Sequence, residues 1–429
     1  MGLGWVYRAM TSGLMNARNP DWPTWLMVGA TGFGGPAGQI AILHREIVER
    51  RQWLGEEEFL AALKVCMLLP GPEAQQLATY AGWRRGGIAG GLVAGTLFVV
   101  PGALLVTALA WLHAAGGSWP LVAAAFAGTR PAVVALVALA AWRIGRKSVR
   151  SPAAVVVLLA ALAALAGGVA FPLVVIAAGL VGIVAPGQGA TVAAIAAPDA
   201  STPRAGGRLL ALRHIAAVAA VAATIWAVCY GLVIATHAVA DRGAAVARLF
   251  TTTTLLSLGG AYAVVPWALD ESVARGWLDA DERFTALAMG EATPGPLILV
   301  VTFIGFMAGW KAAPVATLQA GFEGAAVATL FAFLPSFAMI FGLAPFVRSI
   351  HPASWLGRAM TAVGAAVVAA IVLLAVKLAT AALVSDGSID PVAVVVALGS
   401  AAALLSGRAS TPIVVAAAAA IGALGSLVG

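Results

Sequence analysis

Long apolar runs are the feature that most limits what this chain can fold into. Four runs reach the length of about 20 residues that a helix needs to cross a hydrocarbon core about 30 Å thick: residues 88–113, 211–237, 317–343 and 356–382. Of the 429 residues, 61% are hydrophobic and 10% are charged, whereas soluble domains carry about 25% charged residues. A soluble core could not bury this much apolar surface. The sequence therefore predicts an all-α, polytopic integral membrane protein.

Hydropathy divides the chain into about 13 candidate membrane segments. They are 24–43, 59–82, 88–113, 119–142, 152–166, 171–185, 211–237, 249–269, 284–309, 317–343, 356–382, 391–406 and 412–427. The fifth and sixth segments, like the last two, are short and closely connected. Each of these pairs is either two short tilted spans or a helical hairpin that does not fully cross.

Two halves of the chain repeat the same landmarks in the same order. A Gly-Gly step, a Trp-Leu step and a Pro-Gly-Pro step follow one another in both, and the spacing from Trp53 to Pro70 equals that from Trp277 to Pro294. The segment 187–210 is rich in Gly, Ala and Pro, which predicts a flexible linker. We expect a first repeat at 1–186 and a connecting helix with a second repeat at 211–429.

The distribution of Lys and Arg predicts that the second repeat is inverted. With a cytoplasmic N-terminus and every segment crossing, most basic residues face the cytoplasm, as the positive-inside rule requires. The predicted loop 143–150 carries four basic residues, and its counterpart 385–390 carries none. One loop, 44–58, contradicts this count because its three arginines fall outside; a re-entrant segment 24–43 would bring them inside.

Helix-breaking motifs stand at matching positions in the two halves. Proline and glycine interrupt a helix, and backbone groups freed at membrane depth are tolerated only where protein or a water-filled cavity satisfies them. Broken helices in corresponding positions indicate a transport site, and a half-helix N-terminus favours an anion. The alternative is a kink that only shapes packing. The predicted binding backbone comprises Gly34, Gly35, Pro36, Pro70, Gly71, Pro72, Gly259, Gly260, Pro294, Gly295 and Pro296.

Seven polar side chains near the breaks complete the predicted site. Gln39, Gln75 and Thr293 supply neutral polar groups, and Lys64 or Arg130 would offset the charge of an anion. Either Glu73 or Glu291, which flank the two Pro-Gly-Pro turns, would take a coupling proton. The alternatives are a structural Lys–Glu pair, a snorkelling lysine, and an arginine that only pins orientation.

Enzymatic and nucleic-acid functions find no support in the sequence. No nucleophile–base pair, nucleotide-binding loop or metal-ligand spacing is present, and the two cysteines, Cys66 and Cys229, form no CxxC motif. The net charge of +7 reflects membrane topology rather than nucleic-acid binding. The sequence predicts a carrier without cofactors, driven by a gradient or by a partner protein.

The segment FGGPAGQIAILHREIVERRQWLGEEEF, followed by Pro-Gly-Pro, resembles the chromate ion transporter (CHR) family in its long, two-domain form. That resemblance implies an inner-membrane protein with oppositely oriented halves that exports chromate, confers resistance and uses the proton motive force. A sulfate or other oxyanion carrier and an anion channel are the alternatives. Protons as coupling ion and a homodimer are left open. The second half has Ala288 for Lys64 and Leu297 for Glu73, which predicts an asymmetric site.

Overall fold

The computed structural model describes residues 21–116, 119–184, 205–236, 240–258, 260–312, 317–349, 354–385 and 388–428. Within these ranges the chain is almost entirely helical, which confirms the predicted all-α class. The one sheet in the described ranges is a small antiparallel hairpin of β1 (Val384–Ser385) and β2 (Ser388–Ile389).

The described part of the first half contains eight α-helices and one π-helical turn. They are α1 (Trp22–Thr31), α2 (Gly35–His44), the π-turn (Arg45–Arg50), α3 (Glu56–Leu68), α4 (Glu73–Gly116), α5 (Pro120–Gly128), α6 (Arg130–Ser148), α7 (Pro152–Ala166) and α8 (Phe171–Val184).

The described part of the second half contains nine α-helices, with three 3₁₀ turns at Ala261–Ala263, Leu297–Leu299 and Ala344–Ser349. The helices are α9 (Ala205–Thr236), α10 (Ala240–Leu256), α11 (Val265–Ala274), α12 (Glu282–Ala292), α13 (Val300–Trp310), α14 (Leu318–Leu343), α15 (Ser354–Leu383), α16 (Pro391–Leu405) and α17 (Thr411–Val428).

Helix α4 is bent back on itself where two glycines interrupt it. Gly86 and Gly87 leave the helical conformation, and Gly87 has a φ of 60°. Residues 73–85, the first leg, and residues 88–116, the second leg, therefore run antiparallel. They approach so closely that a Cβ on Gly82 would lie 2.4 Å from the carbonyl oxygen of Gly90.

Helix α3 and the first leg of α4 form a hairpin whose tip is Pro70–Pro72. The side chains of Tyr80 and Arg84, near the end of the leg, both donate hydrogen bonds to Glu58 at the start of α3. The two open ends therefore lie together. Helix α3 has 13 residues, about 20 Å at 1.5 Å per residue, so this first hairpin is too short to cross a bilayer.

Helices α12 and α13 form a second hairpin with its tip at Pro294–Pro296. Lys311 follows α13, and its Nζ donates to Oε2 of Glu282 at 2.6 Å and to Oδ2 of Asp279 at 2.9 Å. Glu58 and Glu282 stand at the same distance from the Trp of their own half, and each is 8% exposed. A buried carboxylate thus closes the base of each hairpin.

The bases of the two hairpins lie at opposite ends of the second leg of α4. The first base lies beside the Gly86–Gly87 bend, where that leg begins. Near its other end, the Nε2 of His113 lies 3.5 Å from the Oε1 of Glu282 in the second base. The leg spans residues 88–116, about 40 Å at 1.5 Å per residue.

Five helical stretches are long and apolar enough to cross a membrane, and five shorter apolar helices accompany them in the described residues. The five long stretches are Glu73–Gly116, Pro120–Ser148, Ala211–Ala235, Leu318–Val347 and Trp355–Leu383. The chain is therefore a multi-pass membrane protein, while the count of 13 spans and the inversion of the second repeat stay predictions.

The α1–α2 pair returns to the face of the molecule at which it starts. Asp21, just before α1, accepts a 2.6 Å hydrogen bond from Arg85, and His44, at the end of α2, lies 2.8 Å from Glu56. Both contacts are at the base of the first hairpin. This geometry fits the re-entrant alternative for segment 24–43, and residues 59–82 likewise fold into the first hairpin rather than one continuous helix.

Two predicted loop boundaries are wrong. Residues 143–148 continue helix α6 rather than forming a loop, because Arg and Lys are good helix formers and stabilise a helix C-terminus. Most of the linker predicted at 187–210 lies outside the described residues, but α9 begins at Ala205, so 205–210 are helical. The division into two repeats stays a prediction.

Candidate functional site

The two hairpin tips reach across to the helix breaks of the opposite halves. The N–H of Gly71 donates to the Oγ of Ser257 at 2.8 Å, and the N–H of Gly295 donates to the carbonyl oxygen of Gly32 at 3.1 Å. Gly71 and Gly295 have φ values of 116° and 98°, a region that side chains disfavour. We call residues 70–76 with 257–262 the first junction, and residues 32–39 with 294–297 the second junction.

The first junction brings together two predicted carboxyl groups. A Cβ on Gly260 would lie 3.3 Å from the Oε1 of Glu73, so Glu73 lies directly against this break. Two residues later, the hydroxyl of Tyr262 donates a hydrogen bond to Glu291. Glu73 and Glu291 thus flank one short stretch of irregular backbone. Within the described part of the chain, Glu73 has no hydrogen-bonding or ion-pair partner.

Two cations of helix α6 act electrostatically on these groups. Arg143 interacts electrostatically with Tyr262 and Glu291, and Lys147 interacts with Glu73. Arg143 and Lys147 are one helical turn apart, and both are exposed. Helix α6 packs against α12, which carries Glu291, and against α15. The first junction therefore combines carboxyl groups with backbone that leaves the helical conformation at Pro70–Pro72 and at Gly260, and two cations of α6 act on these carboxyl groups electrostatically.

Gln75 and Gln76 fix the tip of the first hairpin. Gln75 is fully buried, and its Oε1 accepts a 2.7 Å hydrogen bond from Ser336 of α14. The Nε2 of Gln76 donates to the carbonyl oxygen of Pro70 at 2.6 Å, while its buried Oε1 has no hydrogen-bond partner among the described residues. Gln75 therefore connects the two halves, and its predicted contact with substrate stays a prediction.

The second junction is closed by one amide. Gln39, which is 1% exposed, donates from Nε2 to the carbonyl oxygens of Gly295 at 2.5 Å and of Gly32 at 3.3 Å. Thr293 donates to its own helix, to the carbonyl oxygen of Met289 at 2.7 Å. Leu297, 3% exposed, occupies the position that corresponds to Glu73. Nothing in this junction carries a charge.

The remaining predicted backbone positions divide between the junctions. Gly34, Gly35 and Pro36 form the break between α1 and α2, where Gly34 is exposed. Pro70 and Pro72 lie at the first tip, and Pro294 and Pro296 lie buried at the second. Gly259 lies outside the described residues, whereas Gly260 has a φ of 103° and is buried.

Two predicted cations lie away from the first junction. Lys64 is exposed on α3 and has no ion pair in the described ranges. The Nη2 of Arg130 lies 2.9 Å from the Oδ2 of Asp281 at the base of the second hairpin, where Asp281 is 60% exposed. Of the predicted charged residues, Glu73 and Glu291 thus flank the first junction, while their neighbours Tyr262, Arg143 and Lys147 were not predicted. Tyr262 two residues after Gly260, and the i,i+4 pair Arg143–Lys147, were the available signals.

Comparison with known proteins identifies one family. The family model described as "Chromate transporter" matches residues 22–183 and 244–423. The chromate transport protein of Pseudomonas aeruginosa is 34% identical over 318 residues, which cover 73% of this chain and 69% of the relative. The probable chromate transport protein of Synechococcus elongatus is 29% identical over 75% of both chains.

A relative from Cupriavidus metallidurans matches over a longer range. This chromate transport protein is 27% identical over 399 residues, which cover 92% of this chain and 90% of the relative. No solved structure gives a significant match.

Proposed function

The chain belongs to the chromate transporter family, as its motifs predicted, and we propose that it is a secondary carrier that exports chromate across the bacterial inner membrane. The observation that carries this proposal is the first junction. There, irregular backbone from both halves meets two carboxyl groups and two cations that have no ion pair in the described residues.

The chemistry of the first junction suits a tetrahedral dianion. Helix α4 begins at Glu73, and the amides of its first turn provide partial positive charge and hydrogen-bond donors. Arg143 and Lys147 add two full positive charges nearby. A small oxyanion needs both kinds of interaction, because removing it from water costs hydration that fixed donors must replace.

Alternating access requires that the site be reached from either side in turn. We propose that the halves, 1–186 and 211–429, are inverted and rock against each other about the two junctions. The opposite positions of the two hairpin bases support this arrangement. The distribution of basic residues supports it too. If the hairpins are re-entrant, Arg45, Arg50 and Arg51 move to the cytoplasmic side, and only Arg275 and Arg283 leave that side.

We propose protons as the coupling ion, with Glu73 as the carrier. A charged carboxylate at membrane depth is costly unless it is paired, and Glu73 has no hydrogen bond or ion pair in the described residues. Glu291, by contrast, already accepts a hydrogen bond from Tyr262. Glu73 can therefore bind and release a proton without breaking an existing contact.

Transport of radiolabelled chromate into inverted membrane vesicles tests the proposed function. We expect accumulation with an imposed proton gradient, loss of accumulation with an uncoupler, and no accumulation in vesicles lacking the protein. Competition by excess sulfate reports whether the site recognises only the shape and charge of the anion. Equal flux with and without the gradient would identify a channel, and no chromate flux would overturn the proposal.

Cysteine labelling tests the inverted arrangement. In a background with Cys66 and Cys229 replaced by serine, single cysteines go in at Gln52, beside the first base, and at Ala280, beside the second; both positions are exposed. A membrane-impermeant maleimide applied to whole cells should label Ala280→Cys only. Labelling of both or of neither would rule out opposite orientations.

A further inference from the structure

A cavity lies at the base of the second hairpin, where three helices meet. The end of α11, the start of α12 and the last turns of α15 enclose a volume of about 500 Å³, which falls within the range of about 300–1,000 Å³ that small-molecule sites occupy. Phe284 and Leu378 contribute apolar wall, and the exposed residue Ala280 also lines the space. We call this space the base cavity.

Three charged side chains in the lining of the base cavity form a triad, with one residue from each helix. The Nη1 of Arg283 donates to the Oδ1 of Asp270 at 3.1 Å, and the Nζ of Lys377 donates to the Oδ2 of Asp270 at 2.7 Å. The other lining residues are uncharged. Two cations thus share one carboxylate, and the lining has one positive charge in excess.

Both cations of the triad have hydrogen-bond donors to spare. A guanidinium has five N–H groups and an ammonium has three. Among the described residues, the side chains of Arg283 and Lys377 each make one hydrogen bond, and the Nε of Arg283 is buried without a partner. An anion in the base cavity can therefore accept hydrogen bonds from both cations while each keeps its bond to Asp270.

The neighbouring carboxylates do not cancel this excess charge, because cations outside the base cavity already bind them. Asp281 lies 2.9 Å from the Nη2 of Arg130, and Glu282 accepts a 2.6 Å hydrogen bond from Lys311. Neither carboxylate lines the cavity.

The first half shows how a carboxylate at this position is held when no cavity is needed. Glu46 precedes Trp53 by the same seven residues that separate Asp270 from Trp277. Glu46 is 3% exposed, and its partners are three arginines within five residues of it. The side chain of Asp270 is 40% exposed and is bound from two other helices. Local arginines suffice to hold a carboxylate, so the open triad calls for a further explanation.

We propose that the base cavity binds a tetrahedral oxyanion between Arg283 and Lys377, as the last station before the ion leaves the carrier. The inference rests on the proposed function, because the second base lies at the end of the molecule opposite the first base. Asp270 attracts both cations and repels an anion, so it keeps the binding weak. A transported ion needs such weak binding, since it must leave a site as readily as it enters.

Protection of one cysteine from alkylation measures binding at the base cavity. In the purified full chain with Cys66 and Cys229 replaced by serine, Ala280→Cys reacts with N-ethylmaleimide, a neutral reagent, at increasing sulfate concentration. Sulfate is the probe because it is a tetrahedral dianion that, unlike chromate, does not oxidise thiols. Chloride at equal ionic strength controls for screening. We expect sulfate, and not chloride, to slow the alkylation severalfold.

Variants of the triad should shift the half-protecting sulfate concentration in opposite directions. Arg283→Gln and Lys377→Gln each remove donors and should raise this concentration about tenfold. Asp270→Asn removes the competing charge at nearly constant shape and should lower it about tenfold. All three variants break the triad, so a purely structural role cannot produce opposite signs.

Matched controls lie on the same helix as Asp270. Glu271 and Arg275 form an i,i+4 ion pair on α11 outside the base cavity. Glu271→Gln and Arg275→Gln change the net charge as Asp270→Asn and Lys377→Gln do, and should shift the half-protecting concentration by less than about threefold. Thermal unfolding reports the folding of every variant. A second series in phosphatidylglycerol nanodiscs without sulfate tests whether a lipid phosphate group fills the cavity instead.

The outcomes separate the two proposals. Wild-type vesicles that move no chromate overturn the proposed function, and the role in release falls with it. If chromate is transported, three results overturn only the inference: equal protection by sulfate and chloride, shifts of one sign across the triad, or full protection by phosphatidylglycerol alone. Opposite shifts confined to the triad support it.

Discussion

The two junctions share a backbone plan and differ in every charged position. In each, a Pro-Gly-Pro tip with a left-handed glycine donates its amide to a helix break from the other half. The first junction lies between Glu73 and Glu291, on which Arg143 and Lys147 act electrostatically. The second has Leu297 in place of Glu73 and is sealed by the buried amide of Gln39.

This difference separates what the architecture needs from what the chemistry needs. Crossed tips with satisfied amides are common to both junctions, because unpaired backbone in hydrocarbon is costly wherever it occurs. Charged side chains lie at only one junction, where their partial burial costs free energy and their charges are incompletely paired. Functional sites keep such costs, which a purely structural contact avoids.

The largest effects should come from exchanging the charge between junctions. Leu297→Glu places a carboxyl group in a site without a cation and should cost about 3 kcal/mol or more of unfolding free energy. Glu73→Leu removes an unpaired carboxyl and should keep or raise stability, yet reduce chromate flux to background. Thermal unfolding in detergent and vesicle flux measure both; a strongly destabilised Glu73→Leu would contradict the interpretation of this residue.

The next largest effect on stability should come from a side chain added beneath the second tip. A Cβ on Gly102 would lie 2.0 Å from the carbonyl oxygen of Pro294, so Gly102→Ala must displace backbone and should cost about 2–3 kcal/mol. Gly357→Ala, at a glycine with open space around it, is the control and should change stability by less than about 0.5 kcal/mol. Equal unfolding temperatures for the two variants would show that the second tip is not tightly held.

Single hydrogen bonds should affect stability at one junction and transport at the other. Gln39→Leu removes the donor to the buried carbonyl oxygen of Gly295, while that of Gly32 keeps the amide of Gly295; it should cost about 1–3 kcal/mol without changing the chromate KM. Tyr262→Phe removes the donor to Glu291 and should cost about 1 kcal/mol while impairing flux. A change of KM in Gln39→Leu would mean that the second junction also contacts substrate.

The smallest effect should appear at acid pH at the base of the second hairpin. Burial alone would raise the pKa of Glu282, but hydrogen bonds from His113 and Lys311 hold this pKa below its ordinary value of 4.5. A depressed pKa in the folded state stabilises the protein above the unfolded value, and the stabilisation is lost as the pH falls through the folded pKa. Glu282→Gln should therefore lower the unfolding temperature at pH 7 and have less effect below about pH 4.

The exposed residue Glu57 provides the control for this titration. Glu57→Gln should leave the unfolding temperature within about 1 °C of wild type at both pH values. An effect of Glu282→Gln that is equally large at pH 7 and at pH 4 would show that the side chain contributes through packing rather than through its charge.

The sequence was sufficient for the helices and the breaks, but not for the cations of the site. Apolar periodicity and proline-glycine steps are local signals, so Pro70–Pro72 and Pro294–Pro296 were located correctly as helix breaks. Arg143 and Lys147 were interpreted as loop charges that set orientation. Their role depends on α6 continuing to Ser148 and packing beside α12, which is a tertiary contact that no local pattern encodes.

The same dependence on tertiary contacts explains why the surroundings of Lys64 and Arg130 could not be predicted from the sequence. Both stand within apolar runs and attract attention as intramembrane charges. Their surroundings depend on the hairpin geometry, which turns Lys64 outward on α3 and brings Arg130 to Asp281. The asymmetry between the halves was visible in the sequence through Leu297 and Ala288, because deletion of a charge needs no knowledge of packing.

The contacts that each hairpin tip makes with the opposite half can form only after the second half has been synthesised. The amide of Gly71 finds its acceptor in Ser257, 186 residues later, and Gln75 meets Ser336 after 261 residues. At a synthesis rate of about 5–20 residues per second, the first acceptor emerges about 10–40 s after the donor. During that interval the newly made first half holds an unfinished hairpin in the membrane. The ribosome thus delivers two incomplete pieces in succession, and neither reaches its final shape until the later one arrives.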